Sequence, residues 1–284
     1  MARGLLPTHR RRSRSPLSGW SINLGPDGMR VAAIQMPVLM DVAVNLHVLK
    51  SAVDSLKPGT LAVAPEGTLS GYLPEPRMVQ HLSQSTTSHA IEDAHETVRR
   101  AGVHLVVGAC VHIDGAWRNS SFYLGPHGER WRYDKINLAT SERGDFLAGS
   151  QLPVLDIPVD GGSVRIGVQM CREIRYPEQW RHLATQGAQI IAYVNNAVGN
   201  SEGPDLWRSH VISRAAENQR FVVGANNAAH DQGCTSLIVA PSGKVLDEAA
   251  VGAVSTVETE IDLAQVSDWI LDQARTDVIS VEAH

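Results

Sequence analysis

Cysteine is scarce in this chain. Its 284 residues include three, Cys110, Cys171 and Cys234, and no Cys-x-x-Cys pair. An odd, small number of unpaired thiols argues against a disulfide framework and fits a reducing compartment, so a cytoplasmic location is expected. No apolar run approaches the length of a membrane span. The start of the chain lacks the apolar stretch of a secretory signal. No Gly-rich phosphate loop of the usual spacing occurs. Among the twelve histidines the densest set, His81, His89 and His95, does not share a helix face at metal-ligand spacing. These three read as surface residues, and no metal is expected.

A basic face is also missing from most of the chain. The formal net charge is −5, but residues 1–29 hold five arginines (Arg3, Arg10, Arg11, Arg12 and Arg14) and one acid, Asp27. The rest carries 20 basic and 29 acidic side chains. An acidic body argues against nucleic acid as a partner. Residues 1–29 lack hydrophobic periodicity and are rich in Arg, Ser and Pro. They are expected to be a disordered basic extension, a targeting segment or the product of an upstream start codon. Residues 30–284 are expected to form the folded domain, and a hydrophobic content of 43 % is enough for a substantial core.

The chain repeats itself loosely. Strands are expected at 30–36, 61–65, 103–111 and 120–125, with helices at 41–56 and 88–101. The second half matches with strands at 164–170, 189–195, 220–226 and 235–241 and helices at 177–187 and 204–219. This β-α-β-α-β-β order suggests two sheets covered by helices. Asp41, Asn45, Gly102 and Gly187 supply boundary signals.

Three segments carry chemistry. In VRIGVQMCREIRYPEQW, residues 164–180, an apolar strand runs into Cys171, and Pro177 can open a helix. Cys171 thus stands where a strand meets a helix N-terminus, a setting that lowers a thiol's pKa. An isolated strand Cys would more often be core, and Cys110 and Cys234 read that way. In TLAVAPEGTLSGY, residues 60–72, Glu66 stands just past a strand end. Apolar surroundings would raise its pKa toward that of a general base. In ERWRYDKINLATSERGDFLAG, residues 129–149, Lys135 could stabilise a thiolate or an oxyanion, and Glu142 follows. Alone, Glu66 and Lys135 would read as surface residues.

Together, PEGTLSGY, YDKINL and QMCREIRYPE resemble the nitrilase (carbon–nitrogen hydrolase) superfamily. The candidates stand 69 and 36 residues apart, as in that family. The resemblance runs from about residue 30 to about residue 262. It implies an α/β fold, a four-layer α-β-β-α sandwich with two internally similar halves. It also implies a Glu66–Lys135–Cys171 triad, with Glu142 as the second glutamate that positions Lys135 or substrate. Lys135 and a backbone N–H after Cys171, that of Arg172, would hold the oxyanion, with no cofactor. The implied reaction is hydrolysis of a small amide or N-carbamoyl compound through a thioester.

CREIRYPE resembles the amidase and carbamoylase branches, whereas nitrilases usually show Cys–Trp–Glu. Arg175 would contact a substrate carboxylate or form an ion pair with Glu173 or Glu178. Asn195 and Asn196 would line the pocket, and Arg172 would make it more polar. A homodimer or higher homo-oligomer is implied, built on helices 177–187 and 204–219. Trp180, Leu183, Leu206 and Trp207 are candidates for that face, with the internal core as the rival claimant. A nitrilase acting on C≡N and a non-catalytic assembly protein that keeps the fold are the alternatives.

Overall fold

The computed structural model describes residues 28–159, 161–199, 204–275 and 277–278. Most of the expected basic extension, residues 1–27, lies outside the described residues. The first strand begins at Met29 rather than Arg30, because Met29 pairs with Ile261.

Two six-stranded sheets form the centre. The first holds β1 (Met29–Gln35), β2 (Leu61–Val63), β3 (His104–Ile113), β4 (Ala116–Leu124), β5 (Arg130–Asp134) and β12 (Ser255–Ile261), in the order β12-β1-β2-β3-β4-β5. The second holds β6 (Leu155–Val159), β7 (Gly162–Met170), β8 (Ile190–Val194), β9 (Phe221–Ala225), β10 (Leu237–Val239) and β11 (Val245–Glu248), in order across the sheet. In each sheet three parallel strands are flanked by an antiparallel strand on one side and two on the other. The two halves therefore match strand for strand. The lead strand of the first half, β12, is supplied by the far end of the chain.

Four helices cover the outer faces. Against the first sheet lie α1 (Val42–Ser55) and α2 (Gln84–Ala101), and against the second α3 (Pro177–Thr185) and α4 (Pro204–Asn218). A short α5 (Trp269–Asp272) follows β12. Alternation along the strands divides the core. Ile166, Val168 and Met170 of β7 face the other sheet, with Val31 and Val63 among their partners. Ile191 and Tyr193 of β8 face the helices. Each such buried aliphatic side chain contributes about 1.5–3 kcal/mol by leaving water. The layers are α-β-β-α, as expected.

Boundary signals act as their chemistry requires. Asp41 caps α1 by accepting from the N–H groups of Ala43 and Val44. Gly102 ends α2 in the left-handed conformation. Asn45 instead lies buried inside α1 and bonds both backbone groups of Leu39.

Several expectations change. Trp180, Leu183 and Trp207 are buried in the core between the second sheet and α3 and α4, which leaves Leu206 as the exposed member of that set. Apolar helix positions serve sheet packing first. His95 is buried against the Gly125 carbonyl at 3.1 Å, while His81 and His89 are exposed. No described helix is long and apolar enough to cross a membrane.

Candidate active site

Parallel strands of both sheets end on the same side of the sandwich. Ala64 continues the β2 ladder by donating to the Val106 carbonyl at 2.8 Å, and Pro65 then ends it. Glu66 follows in a turn that Gly67 closes at φ +74, where a Cβ would lie 2.4 Å from that of Tyr72. Gly108 on β3 passes directly beneath. A Cβ there would stand 2.4 Å from the Glu66 Cα, so only glycine permits the approach.

Glu66 is fully buried. Its Oε1 accepts from Lys135 Nζ at 2.8 Å and Asn119 Nδ2 at 2.7 Å. Its buried Oε2 has no hydrogen-bond partner among the described residues. Lys135, just past β5, also donates to Glu142 Oε1 at 3.0 Å. That oxygen accepts as well from Tyr72 OH at 2.9 Å and Asn119 Nδ2 at 2.5 Å. One buried ammonium and one amide thus bridge two carboxylates.

The environment separates these groups electrically. Burial raises the Glu66 carboxyl, and Lys135 only partly offsets it. Burial acts on Glu142 in the same sense. There Lys135, the Ala139 N–H and Asn119 outweigh it and hold the carboxyl low. For Lys135, desolvation disfavours the charge, but two carboxylates overcome it and hold the ammonium well above its ordinary range.

Cys171 ends the β7 run. The α-helix does not begin there, because a 3-10 turn, Cys171–Arg175, intervenes before α3. Cys171 adopts φ +39, a left-handed conformation that costs about 1–2 kcal/mol for a residue with a Cβ. Its thiol is pushed up, chiefly by burial and then by the Glu66 carboxylate. Lys135 and the backbone N–H of Asn196 act in the opposite sense. The expectation of a thiol lowered by a helix N-terminus is therefore reversed. Burial thus favours the protonated thiol.

The turn is clamped on every side. Glu173 is buried, and its Oε1 accepts from Tyr133 OH and Ile136 N, each at 2.8 Å, and from Asn137 N at 3.1 Å. Its Oε2 accepts from Met170 N at 2.8 Å. The carbonyls of Cys171, Glu173 and Ile174 take donors from Tyr193, Trp180 and Arg214 respectively. Glu173 thereby ties the cysteine turn to the Lys135 loop. Its oxygens are taken by these donors, so it is not the partner the sequence offered for Arg175. Arg175 is partly buried and lies over the Trp207 ring at 5.5 Å.

Arg172 points to solvent. The Asn195 side chain is buried, and neither its Oδ1 nor its Nδ2 has a partner among the described residues. Asn196 accepts from Asn227 Nδ2 at 2.9 Å. The structure thus gathers Glu66, Lys135 and Glu142 into one hydrogen-bonded cluster within electrostatic reach of Cys171. Sequence reasoning missed Asn119, Tyr72 and the clamping role of Glu173. Tyr72 ends the PEGTLSGY motif, but no sequence signal separates Asn119 from an ordinary strand residue. An open groove of about 810 Å³ lies at the other end of the sandwich, lined by strand starts such as Met29, His104 and Val164, and holds none of these side chains.

The sequence profile of the carbon-nitrogen hydrolase family matches residues 30–271, and the chain belongs to that family. It is a carbon–nitrogen hydrolase of the nitrilase superfamily. Among its relatives, an (R)-stereoselective amidase from a Pseudomonas species is 33 % identical over 234 residues, covering 80 % of this chain and 82 % of that protein. A nitrilase from Pyrococcus abyssi is 29 % identical over 260 residues, covering 87 % and 93 %. A solved structure of the amidase from Nesterenkonia AN1 superposes with a TM-score of 0.75 at 21 % identity, covering 90 % of this chain and 98 % of that one. That likeness establishes the shared fold.

Proposed function

We propose that this protein hydrolyses the C–N bond of a small amide or N-carbamoyl compound, with Cys171 as nucleophile, Glu66 as general base and Lys135 as oxyanion donor. The observation that carries this reading is the buried Lys135 bridging Glu66 and Glu142, within electrostatic reach of Cys171, with one Glu66 oxygen unpartnered among the described residues. That oxygen can take the thiol proton as sulfur adds to the amide carbon. The resulting oxyanion is stabilised by Lys135 and the backbone N–H of Arg172. Protonated Glu66 returns its proton to the leaving nitrogen, and ammonia or an amine departs. Glu66 then deprotonates water, which attacks the thioester and releases the acid and the free thiol. Glu142 holds Lys135 in place. No step uses a metal or organic cofactor.

Amide chemistry is also supported by the relatives: one is named a stereoselective amidase, and another, from Danio rerio, an omega-amidase at 26 % identity. Arg175, Asn195 and Asn196 are proposed to contact substrate, with the exposed Arg172 at the pocket rim. The test is ammonia release from amides in both enantiomers, N-carbamoyl compounds and nitriles, with Cys171→Ala as control. Turnover of a nitrile without its amide would favour the reading suggested by the Pyrococcus relative. A thiol titration that finds no reactive cysteine, with no turnover of any substrate, would favour an assembly role. We further propose a homodimer or a multiple of one, in the cytoplasm. Light scattering at micromolar concentration checks the first, and fractionation of the source cells the second.

A further inference from the structure

Asn119 is placed to act on the site without touching substrate. It lies on β4, opposite Cys110 of β3, and its carbonyl accepts the backbone N–H of Lys135 at 2.9 Å. Sheet register therefore fixes its backbone to that of the lysine. Its side chain crosses to the two carboxylates. Nδ2 donates to Glu66 Oε1 at 2.7 Å and to Glu142 Oε1 at 2.5 Å, the same two oxygens that Lys135 holds. The amide nitrogen must face them, because a carbonyl oxygen there would be repelled by both. Asn119 is almost wholly buried, and its Oδ1 has no partner among the described residues. In this structure its side chain serves as a donor alone.

Two carboxylates facing one ammonium are one positive charge short. As Lys135 turns toward a developing oxyanion, it loosens from both. A neutral second donor on the same oxygens keeps Glu66 and Glu142 apart and keeps Glu66 rotated with Oε2 free.

We propose that Asn119 is a positioning residue that fixes the rotamer and ionisation of Glu66, so that one carboxylate of the pair serves as base. This rests on the reading of Glu66 as the base. Among the described residues, the titratable groups around the pair are Tyr72, Cys110, Lys135, Cys171 and Tyr193. Hydrogen bonds to a carboxylate favour its ionised form, so losing one raises its pKa.

The test is the pH profile of kcat/KM for Asn119→Leu and Asn119→Asp. Leu keeps the bulk and removes the donor. Its acid limb is expected to move up by about one pH unit and kcat to fall about ten- to hundredfold, with KM for a small amide nearly unchanged. Asp keeps the shape and adds a third carboxylate, so its acid limb moves further up. A purely structural role predicts that Asp resembles wild type and that Leu loses folded protein with an unmoved profile. Either result overturns the proposal. Asn119→Ala, which removes the donor without adding bulk, covers the case in which Leu does not fold, and an unmoved limb there also overturns it. Glu66→Gln separates the two readings. Full activity in that variant removes the base itself. An inactive Glu66→Gln beside an unmoved Asn119→Leu profile removes only the role of Asn119.

Discussion

The backbone N–H of Glu66 donates to the carbonyl of Asn195 at 3.1 Å. This bond joins the end of β2 in one sheet to the end of β8 in the other. Glu66 and the cysteine turn are carried by different sheets, so their separation depends on how the sheets dock.

Cys171→Ala is expected to lower ammonia release at least about a thousandfold. Cys110→Ala and Cys234→Ala should retain activity, since both thiols are buried away from solvent. Because burial keeps the Cys171 thiol neutral, its alkylation by iodoacetamide should keep rising with pH through neutrality. A plateau on the acidic side of neutrality would reveal a resting thiolate and contradict the electrostatics described here.

The pH profile should carry one acid limb and no nearby alkaline limb. The base must be ionised to act, and burial raises Glu66 above the ordinary carboxylate value. Activity is therefore lost, as pH falls, earlier than for an exposed glutamate. Glu142 is held low and stays ionised through this range. Lys135 is held well above its ordinary value, so it keeps its proton on the alkaline side. Glu66→Gln should retain the fold, remove the limb and cut kcat about 10²- to 10⁴-fold. A full kcat/KM profile with circular dichroism checks both points.

Glu173 should matter for both folding and rate. Glu173→Gln sets an amide N–H against one of four donors and is expected to cost about 2–3 kcal/mol. Tyr133→Phe removes one donor and should cost about 1–2 kcal/mol. Urea unfolding measures the stability change. Activity at low denaturant should fall further in Glu173→Gln than in Tyr133→Phe, because only the former frees the cysteine turn from the Lys135 loop.

Gly108→Ala should damage catalysis more than folding. The added methyl must displace the Glu66 backbone, at a cost of about 1–3 kcal/mol. The global fold is expected to survive while Glu66 moves. The result to look for is a melting curve shifted by a few degrees beside a kcat reduced more than tenfold. Unchanged kcat would mean that the loop above β3 absorbs the methyl elsewhere.

Arg175→Ala should separate anionic from neutral substrates. If the guanidinium receives a carboxylate, KM for the anionic amide rises about ten- to hundredfold, equivalent to about 1.5–3 kcal/mol, and KM for its neutral analogue changes little. Equal losses for both substrates would assign Arg175 to packing over Trp207.

Central strands were legible because both faces are buried, which leaves runs such as LAV at 61–63 and IIAYV at 190–194. The edge strands were not. β11 reads VLDE, with no residue fully buried, and β12 and β5 set charged residues beside only a few buried ones, Val257, Ile261 and Tyr133. An edge strand has one covered face and one ladder, so little in its composition marks it. At the site, Cys171 stands out at the end of an apolar strand, whereas Glu66 and Lys135 are legible only through the three motifs taken together. Asn119 lies within a strand among other polar residues, RNSS, and its role comes from what crosses over from β2. For the thiol, the direction expected from the sequence is opposite to the one its surroundings impose. The sequence places a helix start beside Cys171, but not the burial that chiefly raises its thiol, nor the Glu66 carboxylate that adds to it.

The pairing of β1 with β12 sets a late step in the making of this protein. Arg30 and Glu258, neighbours on those strands, are 228 residues apart in sequence. While the chain is being synthesised, β1 to β5 emerge long before the strand that closes their sheet. Until Ser255–Ile261 leaves the ribosome, one side of β1 presents unpaired backbone groups next to apolar side chains. Such distant pairing slows folding and lengthens exposure to aggregation. The end of the sandwich that holds Glu66 and Cys171 can assemble earlier, but the first sheet stays open on that edge until Ile261 has been translated.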